Sequence, residues 1–319
     1  MNPSPSVGAA RDELTLLFPL RLLASVAIVW HHMRASDFLG LGFGLPLFLV
    51  ILFGLTASST RRESLASFTR RRLSYLLTPW LRWSLIYLAL LALADLTRGT
   101  PPADRLEWNM LLYGGHPSLW FLPYAALASL PVKLLQRASA RFGVHGSVLF
   151  AAGLGLATSF ALVHISFRGR YPAPLGAWLL MLPAIPYGLA LAGACRLPRN
   201  AARARLLFCV ALLAAAGALL PAPAGPESQL LTRFASAVPL ACLGFAWSPT
   251  IPSILRVLAG LNFGVYLIHP LVGKTLVEVV DVERLPGILH LIVAWVGAAA
   301  VLLLLRKLRP GWQECRGAA

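Results

Sequence analysis

Apolar runs of about twenty residues recur along this chain, separated by short polar breaks that are mostly arginine-bearing. A helix needs about 20 mostly apolar residues to cross about 30 Å of hydrocarbon. With that ruler the pattern predicts about ten transmembrane helices: 15–33, 37–58, 74–97, 117–136, 147–166, 175–195, 205–224, 230–248, 254–274 and 286–307. Spans 175–195 and 230–248 contain prolines, which membrane helices tolerate better than soluble ones do. The alternation in segments of about ten residues that marks an outer-membrane barrel is absent. The expected fold is therefore all-α, a polytopic integral membrane helix bundle. Tails at 1–14 and 308–319 flank one transmembrane domain at 15–307. No fixed-period repeat appears, and the longest polar stretch is 98–117.

Composition agrees. Of 319 residues 58% are hydrophobic and 13% charged, and mean hydropathy is +0.72. A soluble domain carries about 25% charged residues, so too little polar surface remains to coat one, and disorder is excluded on the same ground. The net charge of +16 does not point to nucleic acid. Its arginines interrupt apolar runs instead of forming a stripe or patch. They fall almost entirely on one side: the tails and the loops on the N-terminal side sum to +14, and the opposite loops balance to zero. The positive-inside rule then puts both termini in the cytoplasm. Arg11, Asp12 and Glu13 precede the first apolar run without a cleavage site of the usual kind, so no removed signal peptide is expected. Cys195, Cys209, Cys242 and Cys315 have no metal-like or disulfide-like spacing.

Chemistry-bearing residues stand out against this background. Arg21 lies inside the first span, and His32 follows eleven residues later. Eleven residues rotate a helix by about 1100°, which returns within about 20° of the same face and about 16 Å along the axis. Arg21 and His32 thus share a stripe, and His31 points elsewhere. Two readings of Arg21 stand: it faces a partner or watery cavity, because a buried arginine is costly, or it snorkels to the cytoplasmic headgroups. The basic segment ending at Arg70, Arg71 and Arg72 suits phosphate binding or plain contact with anionic membrane lipids. Tyr266 and His269 share a helical face, either lining a cavity or packing. Trp120 lines a tunnel or belongs to an interfacial aromatic belt. Most histidines fall near outer span ends, yet H-E-x-x-H spacing is missing, so no metal is expected.

At this point the chain resembles the acyltransferase-3 family of membrane O-acyltransferases. Arg21 with His32 matches its R-x10-H motif, and Gly44-Leu45-Pro46-Leu47-Phe48 resembles its second span. Arg70-Arg71-Arg72 through Pro79-Trp80 resembles its arginine-rich third span. Leu119-Trp120-Phe121-Leu122-Pro123 resembles its W-F-L segment, and Tyr266-Leu267-Ile268-His269-Pro270 its Y-L-x-H-P segment. These stations occur in family order across residues 15–305. Two positions depart from the pattern: Phe53 precedes Gly54 where a serine is frequent, and Tyr75 stands where R-x-x-R has its second arginine.

The resemblance implies transfer of an acyl group, most often acetyl, from acyl-CoA to a hydroxyl of a cell-envelope glycan or glycolipid at the bacterial inner membrane. Under it His32 is the base, Arg21 stabilises developing charge or holds the donor, and Arg70, Arg71 and Arg72 bind the phosphates of acetyl-CoA. Trp120, Tyr266 and His269 line the substrate cavity. The rival class is a transporter or flippase that moves such a substrate unaltered; inverted repeats and paired broken helices, its usual marks, are not detectable.

Overall fold

The computed structural model describes residues 14–32, 41–59, 63–101, 107–146, 148–150, 152–153, 155–156, 174–196, 226–247, 249–280 and 287–308. Every described element is helical: α1 Leu17–His32, α2 Gly44–Ser58, α3 Leu65–Thr97, α4 Met110–Tyr113, α5 Phe121–Arg141, α6 Leu175–Leu180, α7 Ala184–Arg196, α8 Pro226–Ala246, α9 Ser253–Ala259, α10 Asn262–Val280 and α11 Gly287–Leu308. Short 3₁₀ turns at Leu41–Phe43 and Pro117–Trp120 lead into α2 and α5.

Among the described residues four helices are long and apolar enough to cross a membrane: Leu65–Thr97, Pro117–Arg141, Leu175–Cys195 and Ile288–Leu305. A fifth crossing arises if the bent pair α9 and α10 counts as one. Leu17–His32, Gly44–Ser58 and Arg233–Ala246 are apolar but shorter. The expected spans 205–224 and most of 147–166 lie outside the described residues.

Helix α2 holds the centre. Apolar around its whole circumference and buried at ten of fifteen positions, it is the kind of helix that belongs inside a bundle. Helices α1, α5, α7 and α8 surround it. Glycines set the closest approaches: a Cβ on Gly44 would stand 2.8 Å from the Ala24 carbonyl oxygen and from the Ala27 Cβ. Helices α3 and α11 are peripheral, turning Leu81, Leu85, Leu93, Leu96, Ile292 and Leu304 outward, as expected of lipid-facing surfaces. A second apolar cluster, built on Val29, Leu261, Val265, Ala294, Ala298 and Leu302, joins α1, α10 and α11.

Three expected spans differ in start, continuity or bend, each for a local reason. Helix α3 begins at Leu65, not at residue 74, because the Ser64 hydroxyl caps it by accepting the Ser67 N–H at 3.0 Å. Its 33 residues extend about 50 Å, well beyond the hydrocarbon, so the arginine triplet sits on its first helical turns instead of in a loop. Span 175–195 is interrupted by turns at Met181, Leu182 and Pro183, the proline disfavouring helical geometry just before it. Span 254–274 bends by 57° between α9 and α10, where Gly260 caps α9. Helix α10 then continues to Val280.

Candidate active site

Helix α10 contains Pro270, which has no N–H to give to the carbonyl four residues back. That carbonyl belongs to Tyr266, and the His269 Nδ1 lies 2.8 Å from it. A carbonyl only accepts, so the hydrogen-bond network assigns the proton to Nδ1 of His269. In the neutral ring Nε2 then carries the lone pair. His32 Nδ1 lies 2.8 Å from that Nε2, so His32 donates through Nδ1 and its own Nε2 is left as the free basic nitrogen. The two rings stack with centroids 5.0 Å apart and planes within 6°. His269 is fully buried, and His32, at the end of α1, is exposed. One histidine is held and the other is reachable.

The surroundings fix this pair from three more elements. The Tyr266 hydroxyl donates to the Ser118 carbonyl, and Phe121 stands edge-on to the Tyr266 ring at 4.3 Å. The Tyr87 hydroxyl of α3 donates to the Leu267 carbonyl at 2.9 Å. Tyr87 also packs on His116, with ring centroids 4.8 Å apart. Because the Ser118 N–H donates to His116 Nδ1 at 3.2 Å, the neutral His116 carries its proton on Nε2. His116 is close enough to couple electrostatically with both His32 and His269. Trp120, on the turn before α5, packs against Tyr124 at 6.1 Å and faces the apolar core, not the histidine pair.

Arg21 lies about three turns back along α1, beyond reach of the imidazole. It interacts electrostatically with Tyr75, whose ring stacks on Phe263 at 5.7 Å. The residue that departs from the R-x-x-R pattern is therefore within electrostatic range of the motif arginine of α1.

The arginine triplet divides. Arg70 is exposed. Arg71 pairs with Glu63 at 2.6 Å. Arg72 is buried at 7% exposure and donates through Nη2 to the Thr56 hydroxyl at 2.5 Å. All of this lies at the end of the bundle opposite the histidines. Lys133 of α5 joins it, its ammonium 5.6 Å from the centre of the Phe68 ring.

Sequence reasoning brought His32 and His269 to the same region without pairing them; the His-Pro dipeptide inside an apolar run was the available signal. It placed His116 only by location, in the outer loop among the histidines near outer span ends, and counted Lys133 only in the charge sum that orients the bundle. A lone lysine one turn before Gln136-Arg137, on a helix otherwise apolar at that depth, was the hint. Among the described residues no group of three or more His, Cys, Asp or Glu side chains is arranged to hold a metal ion.

Residues 20–307 match the family model described as Acyltransferase domain, which covers nearly the whole chain. The chain belongs to the acyltransferase-3 family and is a membrane acyltransferase. No curated protein and no solved structure matches it.

Proposed function

We propose that this acyltransferase-3 member transfers an acyl group, acetyl in the first instance, from acyl-CoA to a hydroxyl of a cell-envelope glycan or glycolipid. One observation carries the reading: the His32–His269 hydrogen bond leaves the Nε2 lone pair of His32, exposed at the end of α1, without a partner among the described residues. A neutral imidazole suits general-base work near neutral pH. In the proposed reaction, Nε2 of His32 takes the proton of the acceptor hydroxyl as its oxygen attacks the thioester carbon. The C–S bond breaks, an ester C–O bond forms, and the proton passes from His32 to the departing thiolate, giving free coenzyme A.

The charge asymmetry supports a cytoplasmic donor side and an outer acceptor side, with both termini cytoplasmic in the inner membrane. Arg72 sits at the former end and His32 at the latter, so an extended pantetheine arm along the stripe of Arg21 would join them. At three turns from His32, Arg21 is better placed to hold the donor than to steady charge at the reacting carbon. Trp120 and Tyr266 would border the path, Tyr266 mainly by holding α10 against Ser118.

The test is mass spectrometry of envelope glycans from a deletion strain, from that strain carrying the wild-type gene, and from one carrying His32→Ala at equal membrane abundance. Loss of O-acyl groups in the deletion, restored by wild type and not by His32→Ala, is the expected result. A deletion strain that keeps its acyl groups but accumulates acylated glycan on the cytoplasmic side would overturn it in favour of a flippase.

A further inference from the structure

Two cations at the end of the bundle remote from His32 are buried beside a single carboxylate that is already bonded to a third. Lys133 is 2% exposed and Arg72 is 7% exposed. Around the ring of Phe68 stand the Lys133 ammonium at 5.6 Å, the Arg72 guanidinium at 5.7 Å and the Arg71 guanidinium at 5.6 Å. One carboxylate serves all three: the Glu63 oxygens accept from Arg71 at 2.6 and 3.3 Å, its charge reaches Arg72 and Lys133 as well, and its backbone carbonyl accepts from Arg137. Neither Arg72 nor Lys133 has an ion-pair partner among the described residues. The Nε of Arg72 is buried with no hydrogen-bond partner, as is the Gln136 Oε1 beside them.

Burying an unpaired charge costs several kcal/mol unless something neutralises it. The protein spends that on two cations from different helices, one planar fork and one flexible ammonium. Both are standard phosphate ligands, and the two positive charges by which Arg71, Arg72 and Lys133 exceed Glu63 match a phosphate or pyrophosphate group better than a single carboxylate. We infer that Lys133 of α5 and Arg72 of α3, over Phe68, form a pocket for the phosphate groups of the acyl donor. Lys133 is thereby a donor-binding residue in its own right. The inference rests on the acyl-CoA reading above; the same chemistry would also accept an anionic lipid headgroup.

The experiment uses the full chain in phosphatidylcholine nanodiscs and direct binding of labelled acetyl-CoA and of S-acetylpantetheine, which lacks the phosphates. Lys133→Met keeps the bulk and removes the charge; Lys133→Arg keeps the charge. Lys133→Met is expected to weaken acetyl-CoA about ten- to a hundredfold, to leave S-acetylpantetheine unchanged, and to raise the unfolding temperature of the unliganded protein. Lys133→Arg should retain most of the affinity. A folded Lys133→Met protein that binds acetyl-CoA like wild type overturns the pocket and leaves the acyl-CoA reading standing. If wild type binds no acetyl-CoA but is stabilised by phosphatidylglycerol in a Lys133-dependent way, the donor assignment is overturned and a lipid site takes its place.

Discussion

The acceptor nitrogen of His269 is a testable device, because it can be removed or imitated separately from the bulk of the ring. In the resting pair His32 Nδ1–H donates to His269 Nε2 at 2.8 Å. When His32 takes a proton from the acceptor hydroxyl, that bond becomes charge-assisted. A hydrogen bond involving a charged group contributes about 1.5–3 kcal/mol, and 1.36 kcal/mol is tenfold in rate. Removing the acceptor with His269→Ala should therefore slow acyl transfer about 10- to 150-fold. That is less than the roughly 10²–10⁴ expected for losing the base with His32→Ala. The amide oxygen of His269→Gln can accept from the same Nδ1–H, so this variant should recover most of the loss, although its ring stacking is gone. The assay is single-turnover transfer from labelled acetyl-CoA in nanodiscs, with unfolding temperatures as the control for packing. The effect should fall on kcat, with KM for the acyl donor nearly constant. A role limited to packing predicts the opposite ranking, with Gln as poor as Ala because both lack the ring. Equal impairment of the two variants, or a folded His269→Ala protein within twofold of wild type, would refute the positioning role.

Other outcomes follow from the same geometry. His31→Ala should keep most activity where His32→Ala loses it, since His31 lies off the stripe and outside the hydrogen bond to His269; the reverse result in a complementation assay would mean that α1 is wound differently at its end. Gly44→Ala should destabilise by about 1–3 kcal/mol and lower folded yield in a thermal-shift or proteolysis assay, because its new methyl meets the Ala24 backbone, which cannot swing aside. Arg72→Gln should weaken acyl-CoA binding more than Arg70→Gln does, as Arg72 is enclosed and Arg70 is exposed; equal losses would assign the triplet a diffuse surface role. Reporter fusions at Ala319 and in the 98–116 loop should report opposite sides of the membrane, and agreement between them would remove the proposed orientation.

Hydropathy was a good guide to where helices lie and a poor one to where they begin and bend. It registers apolar length only, so it placed the third span at residue 74 and overlooked the first nine residues of α3, which a serine cap and not burial sets going. It also ran through the 57° bend at Gly260 and Leu261, because both halves are apolar. Helical phase did better with the site, since a rotation of 100° per residue is fixed by the backbone and survives any tertiary context. It set His32 and His31 on different faces, and in the structure His32 meets a partner, His269, from 237 residues away. Pairing of that kind has no local signature.

The two departures from the family pattern show what a motif conceals. At residue 75 an arginine would have added a third cation near Arg71 and Arg72. Tyrosine instead stacks on Phe263 within electrostatic range of Arg21, so the change leaves that end of the bundle one charge poorer while packing α3 against α10. At residue 53 a serine is small and polar, whereas Phe53 is wholly buried and stands edge-on to Tyr124 at 6.4 Å. The Tyr124 hydroxyl beside it has no hydrogen-bond partner. The phenylalanine thus fills volume that a serine would leave open, and its neighbour Tyr124 packs in turn on Trp178, whose indole N–H is likewise without a hydrogen-bond partner among the described residues. Buried polar groups are ordinarily satisfied, so two such donors close to one departing position mark where the packing of this chain differs from the pattern it otherwise follows. The paired histidines sit at positions that match the motif set and these departures sit away from them. Differences in donor grip and cavity shape are therefore separable from the acyl-transfer chemistry itself.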